Sequence, residues 1–193
     1  REPSDELARR HAAAAGLAGE ALEPGELLDP IRAWLGSPLR AERIARAVRV
    51  RAEVPILLGV GGTVLRGSID LLVERDAAPP LVVDYKTDRL DGSTPEEHAA
   101  RYATQRTIYA LAAAEALGAD EVEVAYVFLE RPAEPVLTVL GPAERGAGRA
   151  ELERAIARIH SGDFPVAPQE RRDWSLCNGC PALGNLCRGP DAA

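Results

Sequence analysis

The sequence predicts an α/β fold, a small mixed sheet flanked by helices, and three observations carry that expectation. Element signals fall in the order helix, three strands, helix, strand, which is a layered α/β pattern. The 193 residues suffice for one domain with a real core, and 46% hydrophobic with 27% charged residues is a globular composition. No apolar run approaches the roughly 18 residues a membrane span needs. With no signal-peptide pattern at the start, a cytoplasmic protein is expected.

Taken in order, residues 5–20 are rich in Ala, Leu, Arg and Glu and read as helix, and 26–35 as another. Ser37-Pro38 supplies an N-cap and a first-turn proline for a helix to about Ala47. At Val48 the pattern turns to strand. Residues 48–60 and 63–74 are β-rich runs joined by Gly59-Val60-Gly61-Gly62, a hairpin signal. A turn over 77–80 leads into Leu81-Val82-Val83-Asp84-Tyr85-Lys86, a short buried strand. Thr94-Pro95-Glu96-Glu97 is a capping box opening a helix to about Leu117, closed by Gly118. Residues 122–130 alternate as a strand, 136–140 are a further strand, and 143–160 read as helix. One domain over 1–193 is expected: extra N-terminal helices (1–47), a core (48–160) and an irregular, cysteine-containing tail (161–193).

The net charge of −7 argues against a surface that grips nucleic acid by bulk positive charge. It leaves open a chain whose acidic residues hold metal, with any nucleic-acid track supplied by a partner. The chain contains no Met and opens on Arg1, so a piece of a longer protein is expected. Lys86 is the only lysine; every other basic residue counted with it is arginine. An ammonium is a compact charge that guanidinium does not replace.

Asp84 and Lys86 are two apart on a strand and share one face, while Tyr85 points away. If the second and third strands pair, Asp70 comes near Asp84. Two carboxylates so placed repel unless a cation lies between them, and Mg²⁺ suits carboxylate oxygens plus water. A carbonyl at Tyr85 would complete the protein's share of the ligands. The bland alternative is an edge strand with exposed charges, which buried Leu81, Val82 and Val83 argue against.

Arg66-Gly67-Ser68-Ile69-Asp70, followed by Asp84-Tyr85-Lys86-Thr87-Asp88, resembles the G-x-I-D … D-Y-K-T signature of RecB-family PD-(D/E)XK nucleases. Gln105-Arg106-Thr107-Ile108-Tyr109 matches that family's Q-x-x-x-Y motif. The resemblance runs from about Ser37 to Cys187 and is nearest to the C-terminal nuclease domains of AddAB-type and RecB-like helicase–nucleases. It implies a restriction-endonuclease-like core (αβββαβ). It also implies Mg²⁺ or Mn²⁺ on Asp70, Asp84 and the Tyr85 carbonyl, Lys86 as catalytic lysine, and Gln105 and Tyr109 near the lysine and the DNA backbone. Glu53 resembles an acidic position often found before the hairpin. The family's upstream G-x-x-x-H is not matched, because His11 lacks the glycine.

Independently of the family, Tyr102, Gln105 and Tyr109 fall on one helix stripe. Core packing is the plain reading of both tyrosines, whereas a buried Gln105 needs partners. Cys177 and Cys180 have C-x₂-C metal-ligand spacing, and Cys187 follows. By resemblance to AddB-type nucleases such a trio joins an upstream cysteine to hold a [4Fe–4S] cluster. That cysteine is absent here. A cluster short of a ligand, Zn²⁺ completed by His160 or Asp173, and plain thiols stay open. Gly59-Val60-Gly61 opens no helix and is no dinucleotide fingerprint, and Ser68 stands where a P-loop needs lysine. Trp34 and Trp174 read as packing residues.

The expected function is a Mg²⁺-dependent deoxyribonuclease, an exonuclease acting on DNA with a fused or associated helicase motor in double-strand-break repair, with no membrane partner. Local cations would be Arg66, Lys86, Arg89, Arg101 and Arg106. The alternatives are a catalytically inactive module that binds DNA or braces a helicase, and a zinc-stapled interaction domain.

Overall fold

The computed structural model describes residues 4–14, 24–163 and 181. By its internal contacts the chain forms two units, Arg1–Ile156 and Ala157–Ala193. The second unit's described part is the end of the last helix, where Arg158 pairs with Asp163 at 3.3 Å, together with Pro181. The cysteine trio, Asp173 and Trp174 lie outside the described residues, and so do the expectations placed on them.

In the first unit, α1 (Asp5–Ala14) and α2 (Pro24–Leu35) precede a short helical segment. There the Ser37 hydroxyl accepts the Arg40 N–H (3.3 Å), as its capping role requires. The segment then widens into a π turn, Arg40–Ile44, closed by Ala45 N–H on the Arg40 carbonyl (2.8 Å), instead of running to residue 47 as an α-helix. Strands β1 (Arg49–Val60) and β2 (Thr63–Glu74) form the expected hairpin. Its two turn residues, Gly61 and Gly62, both have positive φ (55° and 76°), the conformation that matches strand twist and that side chains resist.

β3 (Leu81–Lys86) pairs antiparallel with β2 and parallel with β4 (Val122–Phe128), and β5 (Val136–Leu140) adds antiparallel at the far edge. A parallel pair needs a crossover. It is made by α3 (Pro95–Ala99), a 3₁₀ turn (Ala100–Tyr102) and α4 (Ala103–Leu117). The capping box forms in full: Thr94 Oγ1 accepts the Glu97 N–H (3.2 Å) and Glu97 Oε2 accepts the Thr94 N–H (2.9 Å). The expected single helix is interrupted at 100–102, and there the Tyr102 carbonyl accepts a hydrogen bond from the Tyr126 hydroxyl (2.8 Å). α5 (Pro142–Ser161) is the last described helix.

Helix α4 covers one face of the sheet, its small Ala110 and Ala113 packing close on Ile69, Leu72, Val82 and Val124. Trp34, Leu39, Ile44 and Ala47 cover the other face over Val73, Leu81, Val83 and Val127. β4 was expected to alternate, yet all seven of its residues are buried, because it lies between β3 and β5 with both faces covered. It also ends two residues earlier than expected, at Phe128, where Arg131 N–H turns back onto the Phe128 carbonyl (2.9 Å). The buried carboxylate of Glu123 is neutralised by Arg43 and by Arg75 at 2.8 Å. The sheet has mixed topology and helices on both faces, the α/β architecture expected.

Candidate active site

The site grows from the register of β2 on β3. The ladder ends with Leu71 opposite Val83, so the next pair is Asp70 and Asp84. Beyond the ladder the Tyr85 N–H has no strand partner, and Asp70 Oδ2 accepts it instead at 2.8 Å. The carboxylate thus continues the sheet by one side-chain hydrogen bond. An irregularity in the hairpin accompanies this. Between the pairs Ala52–Leu71 and Val54–Ile69, Glu53 adopts φ 51°, a strained value for a residue with a side chain. On β2 the residues packed toward α4 shift there from Leu72 to Ile69, three apart instead of two. Asp70 sits at that shift.

Asp84 is 3% exposed and Lys86 9%. The ammonium lies 2.6 Å from Asp84 Oδ2. The two charges form a close, buried ion pair. Lys86 Nζ also donates to Gln105 Oε1 (2.7 Å), and Gln105 Nε2 donates to the Tyr109 hydroxyl (2.9 Å), which orients the amide with its oxygen toward the lysine. Burial pushes the Asp84 carboxyl up to about 6 from 3.8; the Lys86 ammonium pulls it down, and the nearby Asp70 carboxylate adds to the rise. Burial and neighbouring carboxylates raise Tyr109 and Tyr126, chiefly Asp84 after burial, and Tyr102 through Asp88, so all three hydroxyls stay protonated.

The structure therefore brings Asp70, Asp84, Lys86, Gln105 and Tyr109 together. Glu53 lies at the margin, 3.5 Å from Ser68 Oγ, and its charge reaches Tyr109. Tyr85 turns to the opposite face and meets Trp34 edge-on, with ring centroids 5.4 Å apart. Arg66, Arg89 and Arg101 are exposed and Arg106 is half-buried. His11 falls in α1. Sequence reading missed what lies over the lysine: the Tyr102 ring, 3.9 Å from Nζ, and the Tyr126 ring at 5.3 Å. The helix stripe through Tyr102 was the available signal; Tyr126, on β4, had none.

Two carboxylates and a main-chain carbonyl are an oxygen donor set that fits Mg²⁺. The buried Asp84 Oδ2 already faces one cation, the Lys86 ammonium, so this is a place in the fold that favours positive charge. Among the described residues no group of three or more His, Cys, Asp or Glu gathers as a metal cluster. An ion here would take the rest of its shell from water and substrate, as Mg²⁺ commonly does.

Two aspartates and a lysine meet at the end of the β2–β3 ladder of a mixed α/β sheet, and comparison with known proteins gives the family. The model of the PD-(D/E)XK nuclease superfamily matches residues 1–188, and the chain belongs to that superfamily. It is similar to an ATP-dependent helicase/nuclease subunit of Carboxydothermus hydrogenoformans (strain ATCC BAA-161 / DSM 6008 / Z-2901), 34% identical over 122 residues. That match takes in 55% of this chain and 10% of the relative, so the chain spans about a tenth of its length. A crystal structure of a candidate exonuclease from Eubacterium rectale shares the fold, with TM-score 0.50 and 14% identity, covering 95% of this chain and 77% of that one. No helix among the described residues is long and apolar enough to cross a membrane.

Proposed function

We propose that this nuclease domain is a divalent-metal-dependent deoxyribonuclease, an exonuclease hydrolysing phosphodiester bonds within a helicase–nuclease of double-strand-break repair. The observation that carries the reading is the meeting of Asp70 and Asp84 at the end of the β2–β3 ladder, with Lys86 against Asp84. Asp70, Asp84 and the Tyr85 carbonyl would hold Mg²⁺ or Mn²⁺, which when bound supplies Lewis acidity to the phosphate and makes water a better nucleophile near neutral pH. Lys86 then orients the attacking water and balances charge growing on the phosphate. Gln105, itself held by Tyr109, keeps the ammonium from swinging away. Support for a motor partner is the match to part of a helicase/nuclease protein. An acidic chain suits that arrangement, since phosphate neutralisation supplies most DNA affinity and would fall to the motor.

The test is cleavage of end-labelled linear DNA by the 193-residue chain in Mg²⁺, Mn²⁺ or EDTA. Cleavage is expected only with a divalent ion, and Asp84→Ala and Lys86→Ala should each lower it by at least about a hundredfold. Equal rates for wild type and both variants would remove the catalytic role of this site. DNA binding without cleavage would favour the inactive module.

A further inference from the structure

An ammonium has three N–H donors. On Lys86, contacts with Asp84 and Gln105 account for two directions. The third faces aromatic rings: Tyr102 at 3.9 Å from Nζ, backed by Tyr126 at 5.3 Å. Tyr102 is fixed at both ends. Its hydroxyl donates to Asp88 Oδ2 (2.7 Å), and its carbonyl, at the end of the 3₁₀ turn, accepts from the Tyr126 hydroxyl (2.8 Å). The two rings lie 5.5 Å apart, tilted by 44°. Asp88 belongs to the loop leaving β3, and that loop is pinned two residues further on, where Leu90 is fully buried and its N–H donates to Glu130 Oε2 (2.9 Å). The tether therefore runs from an anchored loop, through an exposed carboxylate, to the ring over the lysine.

We propose that Tyr102 is a positioning residue: its ring, tethered by Asp88, closes the third side of the Lys86 ammonium and keeps it turned toward Asp84 and Gln105. The inference rests on the catalytic role proposed above for Lys86. A cation is drawn to the negative face of an aromatic ring, and lysine is a flexible side chain with much rotamer freedom to lose. Without the ring the ammonium gains a water-filled direction, and its preorganisation relaxes.

Because the chain has a single lysine, ¹³C-lysine labelling reports Lys86 alone. The Lys86 Hε–Cε signal of the wild-type chain should be shifted upfield by the ring current. Tyr102→Leu should move it most of the way back toward the random-coil position, the more distant Tyr126 ring remaining, and lower kcat about tenfold with KM little changed. Tyr102→Phe and Asp88→Ala, which keep the ring and cut its tether, should lie between the two in shift and rate. A Lys86 signal unmoved in Tyr102→Leu, or a wild-type kcat in that variant, overturns the inference. Should the wild-type chain cleave no DNA at all, the catalytic reading falls by itself and the spectrum still judges the contact. An upfield signal clearly weakened by leucine then upholds the placement of Lys86, and a random-coil signal in wild type overturns it.

Discussion

Asp84→Asn should make the metal-free chain more stable at neutral pH, although it removes a charge that touches a lysine. The folded chain holds this carboxyl at about 6 against 3.8 unperturbed, so ionising it costs more folded than unfolded. A rise of about two units at 1.36 kcal/mol each sets a ceiling of about 3 kcal/mol. The attraction of Lys86 is already inside that figure, because it is one of the causes of the net shift. Water reaching the site and side-chain relaxation reduce the expected gain to about 1–2 kcal/mol, or roughly 3–6 °C in Tm for a chain of this size. The pH dependence has a definite sign. Below 3.8 folded and unfolded chains both hold the proton and carry no penalty; the penalty grows as pH rises and is complete above about 6. Calorimetry in EDTA should therefore show the variant ahead of wild type at pH 7.5, the gap narrowing by about pH 5. Added Mg²⁺ should reverse the order, since only wild type then gains stability from binding. A variant less stable than wild type in EDTA at pH 7.5, or a gap independent of pH, would refute the burial argument.

Further outcomes follow from the same contacts. Lys86→Arg should leave the fold intact by circular dichroism yet cut DNA cleavage by about a hundredfold, because a planar guanidinium cannot occupy the space between Asp84, Gln105 and the Tyr102 ring. Glu123→Ala should cost about 1–3 kcal/mol in urea denaturation, since it takes the carboxylate from the half-buried Arg75, which keeps only the Pro79 carbonyl, and from Arg43; the active-site residues lie further along the sheet and cleavage per folded molecule should hold. At Gly148 a Cβ would come within 2.5 Å of Thr107 Cγ2 on α4, and that side chain is locked by its hydroxyl on the Ala103 carbonyl (3.1 Å). Gly148→Ala should therefore destabilise by about 1–3 kcal/mol, and Thr107→Ala in the same chain should recover most of it.

How far the sequence could be read depended on how local each signal was. The Gly61-Gly62 turn, the capping box at Thr94 and the apolar run of β3 are written in adjacent residues, and all three appear where expected. The π turn after Arg40 and the 3₁₀ turn at Ala100–Tyr102 were not legible, because an α-helix fits the same residues as well. The partners of Glu123 come from residues 80 and 48 positions away, and no short pattern reports them. Within the site, Asp70, Asp84, Lys86, Gln105 and Tyr109 were named from motif spacing, whereas the shift of β2 at Asp70 was not.

The amino-acid order by itself determined the hairpin, the strand that carries Asp84 and Lys86 on one face, and the membership in a nuclease superfamily that those motifs announced. The first two are properties of period and turn chemistry, which act over a few residues; the third rests on motif resemblance and the family match. Only the tertiary structure decided that Asp70 leaves the ladder to cap the Tyr85 N–H, and that two tyrosine rings from different elements face one ammonium. Those contacts join side chains far apart in the chain. Their distances are set by how α4 and the turn before it seat on β3 and β4, and that is a matter of packing.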